Sequence, residues 1–165
     1  MPGIPEFKKK AIIFLIKFFV IYAILQFLIL ALPIGFIENG IAEIEANAIG
    51  EGAEGNLIEL EGHSFQIVPN CTGLVGISVL AAIIFALRKP ELKKKLALLA
   101  IGALILFPLN LLRVYFVLWA SIAFNPEIGE TLHMATWFIA AAAILVIWYY
   151  LTKRVAKVKR FNELL

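Results

Sequence analysis

Long apolar runs separated by short polar ones organise this chain. Residues 11–32 are apolar except for Lys17 and Gln26, and they stop at Pro33. A second run covers about 70–87, a third 96–122 with Asn110 and Arg113 inside it, and a fourth 133–151. A hydrocarbon core about 30 Å thick takes roughly 20 helical residues to cross. The first, third and fourth runs reach that length. The second is short, and draws its outer end from Asn70 and Cys71 or from local thinning of the bilayer. The first run is too long for a signal-peptide core of about 7–15 residues, and no small-residue cleavage site follows it. The pattern predicts four membrane-crossing helices.

The polar segment 33–70 is too long for a plain turn. Over 36–49, Ile37, Ile41, Ile44 and Ala48 recur at helical spacing with Glu38, Glu43 and Glu45 elsewhere, which predicts an amphipathic helix. Beyond it, 57–60 and 65–68 partly alternate around Gly62, with His63 in the presumed turn, which predicts a β-hairpin leading into Pro69-Asn70-Cys71. The predicted fold class is an all-α membrane protein: a four-transmembrane-helix bundle whose outer segment contains an amphipathic helix and a small β-hairpin. With no internal repeat or low-complexity tract, residues 1–165 read as a single integral membrane domain.

Composition narrows the function. The chain is 62% hydrophobic and 16% charged, against about 45–50% and about 25% in soluble domains. Water-soluble enzymes and disordered chains are excluded. The net charge of +3 points to no nucleic acid, because the basic residues border the apolar runs. Lys8, Lys9 and Lys10 precede the first run, and Arg88, Lys89, Lys93, Lys94 and Lys95 lie between the second and third. Lys153, Arg154, Lys157, Lys159 and Arg160 follow the fourth. Segment 33–70 has seven Glu and no Lys or Arg. The positive-inside rule then puts both termini in the cytoplasm of a multi-pass protein of the cell membrane, and the acidic segments outside.

Few side chains near the spans carry chemistry. Cys71 opens the second span at its outer end, and His133 opens the fourth, also outside. Arg113 lies roughly 27 Å along the third at ~1.5 Å per residue. Charge-derived topology thus puts a thiol, a guanidinium and an imidazole in one outer layer. A lone Cys is most often a small buried hydrophobe, and a lone interfacial His is rarely a catalyst. Arg113 differs, since an arginine inside a span costs roughly 2.5–3.5 kcal/mol on insertion scales and its structural alternative is snorkelling to the interface. Together the three fit a cysteine nucleophile. A fixed positive charge favours thiolate or stabilises an oxyanion, while His133 exchanges the proton. Gly73 and Gly76 bare one face of the second span, for close helix packing or for a substrate backbone. Asn110, one turn before Arg113, is placed to orient it, and Pro108 to bend the helix. Two His, one Cys and no Asp give no metal-ligand cluster, and no cofactor is implied. A single Cys has no resolving partner for disulfide exchange.

Asn70-Cys71-Thr72-Gly73-Leu74-Val75-Gly76, Asn110-Leu111-Leu112-Arg113 and His133 resemble, in order, the three motifs of the exosortase/archaeosortase family. The resemblance spans about 62–137 and looks like a minimal, four-span member. It implies a membrane-embedded cysteine transpeptidase acting at the outer face on the C-terminal sorting tail of exported proteins: a short motif, a transmembrane helix and a basic cluster. The freed protein would pass to a lipid or amine acceptor through a Cys71 thioester. By the same resemblance Cys71 is the nucleophile, Arg113 the electrostatic stabiliser and His133 the acid/base, with Asn70, Thr72, Gly73, Gly76 and Asn110 in support. The family's third position can also be Arg. The alternative is a non-enzymatic membrane subunit, with a structural Cys71 and Arg113 paired to a partner's carboxylate.

Overall fold

A computed structural model of the chain describes residues 6–60, 62–156 and 164. Of the C-terminal basic cluster, Lys157, Lys159 and Arg160 lie outside the described residues, as does Glu61 beside the expected turn. The described elements run α1 (Glu6–Ala31), α2 (Gly35–Ile49), β1 (Ala53–Glu54), β2 (Leu57–Leu60), β3 (His63–Gln66), a 3-10 turn (Pro69–Cys71), α3 (Leu74–Ala86), α4 (Leu92–Ala123) and α5 (Pro126–Ala156). This is a mostly α, multi-pass membrane protein. Helices α1, α4 and α5 are long and apolar enough to cross a bilayer.

Helix α3 is different. Its 13 residues rise only about 20 Å, yet Leu80, Ala82 and Ile84 are almost wholly buried. It is the central helix, with α1, α4 and α5 packed around it. A helix sheathed by other helices need not match the bilayer by itself, because protein rather than lipid meets its ends. Gly102 of α4 sits so close to Leu80 that a β-carbon would have no room.

Of the polar interruptions of the first run, Gln26 is accounted for by a contact between helices. Gln26 of α1 donates from Nε2 to Ser78 Oγ (2.8 Å), and Ser78 Oγ donates to the Val75 carbonyl (2.8 Å). Such bonds join helices where lipid offers no alternative partner. At the opposite end of α3, buried Lys95 donates from Nζ to the Leu87 carbonyl. That satisfies one of the acceptors every helix C-terminus leaves open.

The helices overrun the apolar stretches that announce them. Residues 121–132 were expected as an outer loop; instead α4 runs to Ala123 and α5 starts at Pro126. Asn125 Oδ1 accepts the Ile128 N–H (2.9 Å) and proline occupies the first helical position. Both are helix-start chemistry that also reads as loop composition. His133 therefore lies two turns inside α5 rather than at its start.

The layer beside the bundle, expected to be the outer one, is α2 and a three-stranded antiparallel sheet ordered β1-β2-β3. The expected hairpin is present with its second strand two residues earlier. Leu60 pairs with His63 and Leu57 with Gln66, so His63 belongs to β3 and not to the turn. β1 pairs with β2 through two residues only, too few to show a pattern. Helix α2 is rotated from expectation. It buries Ile41, Ala42, Glu45 and Ala46, leaving Ile44 exposed. One core cluster joins Ile41, Ala42 and Ala46 to Ile58, Ile67, Cys71, Val114 and Leu118. A second, around Leu80, Ile84, Leu98 and Ile144, holds α3 to α4 and α5.

Candidate active site

Cys71 closes the 3-10 turn that precedes α3, and so stands just outside that helix. The turn is set by its own side chains. Thr72 Oγ1 donates to the Pro69 carbonyl (2.7 Å) and accepts the Leu74 N–H (3.3 Å), which caps α3. Gly73 follows with φ +79°, a conformation that costs a residue with a β-carbon roughly 1–2 kcal/mol. A β-carbon there would also lie 3.1 Å from Asn110 Cβ and Cγ. Glycine at 73 is thus required twice, by the backbone and by α4. Gly76 is not under the same pressure: a β-carbon would make an ordinary 3.5 Å contact with Ile144.

Helix α4 grips this turn from the side. Asn110 Nδ2 donates to the Cys71 carbonyl (2.6 Å), and Arg113 Nη2 to the Asn70 carbonyl (3.2 Å). Asn110 was expected to orient Arg113; instead both residues brace the backbone that carries the thiol. Arg113 does not snorkel. It is 9% exposed, its guanidinium carbon lies 5.2 Å from the centre of the Trp137 ring, and its buried Nε meets no hydrogen-bond partner among the described residues. Trp137 in turn donates from Nε1 to His133 Nε2 (3.3 Å), one turn earlier on α5. The indole joins guanidinium to imidazole. Sequence reading missed Trp137; its only signal was the four-residue spacing from His133, which puts both on one helix face.

The three predicted groups are brought together unequally. The Arg113 charge acts on both Cys71 and His133, while no hydrogen bond joins Cys71 to His133 among the described residues. Cys71 is 2% exposed, in the buried cluster that also holds Ile41, Ala42 and Ala46 of α2, Ile58, Ile67, Val114 and Leu118. Burial pushes its thiol up. A backbone hydrogen bond with Val68 and the Arg113 charge pull it down, and the carboxylate of Glu38 pushes it up again. Burial wins, so the resting group is a thiol.

Asn70, Gly73, Gly76, Asn110 and Arg113 also face a cavity of about 770 Å³ between α1, α3, α4 and α5. From Trp137 it extends down α5 to Trp148, roughly 16 Å at 1.5 Å per residue. Its α5 wall includes Ala140, Ala141 and Ala143. Polar groups are confined mainly to the Arg113 end. Neither Cys71 nor His133 lines it. Among the described residues no three His, Cys, Asp or Glu gather as a metal site.

The profile of the transmembrane exosortase family (Exosortase_EpsH) matches residues 50–149, which takes in the sheet, the 3-10 turn, α3, α4 and most of α5. The chain belongs to this family. The match contains Cys71, Asn110, Arg113, His133 and Trp137 and leaves out α1 and α2. The turn, its two braces and the Trp137–His133 pair all lie within the matched span. No curated protein and no solved structure matches the chain.

Proposed function

We propose that this exosortase is a membrane cysteine transpeptidase with Cys71 as nucleophile. The observation that carries the reading is the placement of the Arg113 guanidinium. It is a buried cation at the polar end of an apolar cavity, touching the turn that bears the only thiol and sharing Trp137 with His133. The substrate is the C-terminal sorting tail of an exported protein, with its transmembrane helix beside the bundle and its scissile motif at the depth of Arg113, on the outer face. The Cys71 sulfur attacks the scissile carbonyl carbon while its proton passes to His133. The C–N bond breaks, the leaving amine takes that proton, and a thioester remains. An acceptor hydroxyl or amine, from a lipid in the favoured case, then attacks the thioester, its proton returning through His133 to the departing sulfur. Arg113 stabilises the thiolate or the oxyanion, where a preorganised cation in a water-poor site is worth most. Since Cys71 is buried in a cluster that includes α2, the substrate motif must enter by displacing part of that cover.

Co-expression with a tail-bearing secreted protein tests this. Tail removal and acceptor attachment are expected with the natural chain and are lost with Cys71→Ala. One observation favours a second reading, a non-enzymatic membrane subunit: Cys71 is buried and both α4 polar groups bond to backbone. Full processing by the Cys71→Ala chain would establish that reading instead.

A further inference from the structure

Resting on the transpeptidase reading, we infer that Trp137 is a positioning residue, which fixes the tautomer of His133 and masks its basic nitrogen while holding Arg113 against the thiol-bearing turn. An indole N–H donates and never accepts. The nitrogen it meets, Nε2 of His133 at 3.3 Å, must therefore carry a lone pair. Neutral His133 then bears its hydrogen on Nδ1. The same indole presents its ring to Arg113 at 5.2 Å, where the negative face of an aromatic ring attracts a buried cation. One side chain thus sets the two groups on which proton transfer and charge stabilisation depend.

The arrangement has a chemical consequence. His133 can take up a proton only at Nε2, and that lone pair is occupied by the indole N–H. Proton transfer from the Cys71 thiol requires the Trp137–His133 bond to open. Trp137 also lines the apolar cavity, whereas His133 does not. A chain entering the cavity therefore meets the indole first, and moving it exposes the base. The resting enzyme holds a buried thiol and a masked base together, which guards against idle hydrolysis.

Nitrogen NMR of imidazole-labelled protein in nanodiscs tests the inference, with His133 assigned by its loss in His133→Asn. The natural chain is expected to show neutral His133 as a single species protonated at Nδ1 and bare at Nε2. Trp137→Phe keeps an aromatic face for Arg113 but lacks the N–H, and should lose that single-tautomer signature. In the tail-processing assay Trp137→Phe, which frees Nε2, should raise kcat two- to tenfold, the worth of one neutral hydrogen bond that no longer has to open, with KM within about twofold, while Trp137→Ala, which also removes the ring from Arg113, is slower than Trp137→Phe. A His133 protonated at Nε2 in the natural chain, which needs no variant to fold, overturns the inference. So does a Trp137→Phe spectrum identical to the natural one. If the spectra are as expected but Cys71→Ala still processes tails, the transpeptidase reading fails and the tautomer assignment stands.

Discussion

Arg113 and Gly73 are the residues at which the site is most exposed to single changes. Arg113 donates one hydrogen bond from Nη2 to the Asn70 carbonyl and sets its planar guanidinium over the Trp137 ring. Lysine supplies the charge without the plane. Arg113→Lys should slow tail processing about tenfold or more, and Arg113→Leu about 100-fold or more, the usual cost of removing one transition-state donor; initial rates on a tail peptide check both. Gly73→Ala forces a β-carbon into a positive-φ site and against Asn110. It should lower stability by about 1–3 kcal/mol, read as a fall in unfolding temperature in detergent. Much at this scale was legible beforehand. Arginine within an apolar run is costly enough to demand a reason, and Cys71 is the only thiol in the chain. Trp137 was not legible, because an aromatic in a span reads as lipid-facing bulk until the cation beside it is seen.

The elements tell a different story, and α2 shows why. Its spacing predicted an inward face of Ile37, Ile41, Ile44 and Ala48. The observed face is shifted so that Glu45 is 2% exposed and its Oε1 has no partner among the described residues. Periodicity could not find this, since a buried carboxyl breaks the rule that periodicity relies on. Burial raises Glu45 to about 7, and no neighbouring charge contributes. The folded state therefore binds this proton more tightly than the unfolded one, and stability falls as pH rises from about 4.5 to about 7. Glu45→Gln removes that penalty. It should add about 3 kcal/mol at pH 8 and little at pH 5, the full shift at 1.36 kcal/mol per pH unit, as unfolding temperature against pH will show. If Glu45 anchors the cover over Cys71, alkylation of the thiol should follow the same profile, faster at pH 8 in the natural chain than in the variant. Elsewhere the helices were foreseeable and their ends were not. Asn125-Pro126 composes a loop and a helix start with equal economy, so α5 began seven residues earlier than its apolar run.

For the whole molecule, the number of helices and the separation of an outer layer from a bundle follow from hydropathy and from the acidic composition of 33–70. The central place of α3 does not, because a short apolar run says nothing about which helices surround it. The charge-derived orientation gives a direct test. In a Cys71→Ala background, a cysteine at Gly52, exposed in the outer layer with open space around it, should react with an impermeant maleimide on intact cells. One at Lys93, exposed at the start of α4, should react only after permeabilisation, and the reverse result would invert the topology. A last consequence concerns Pro108, which interrupts the α4 hydrogen-bond ladder just before the two residues that clasp the thiol's backbone. Asn110 and Arg113 both follow that break, so the part of α4 that holds the Asn70 and Cys71 carbonyls is set apart from the part that packs through Gly102 on Leu80.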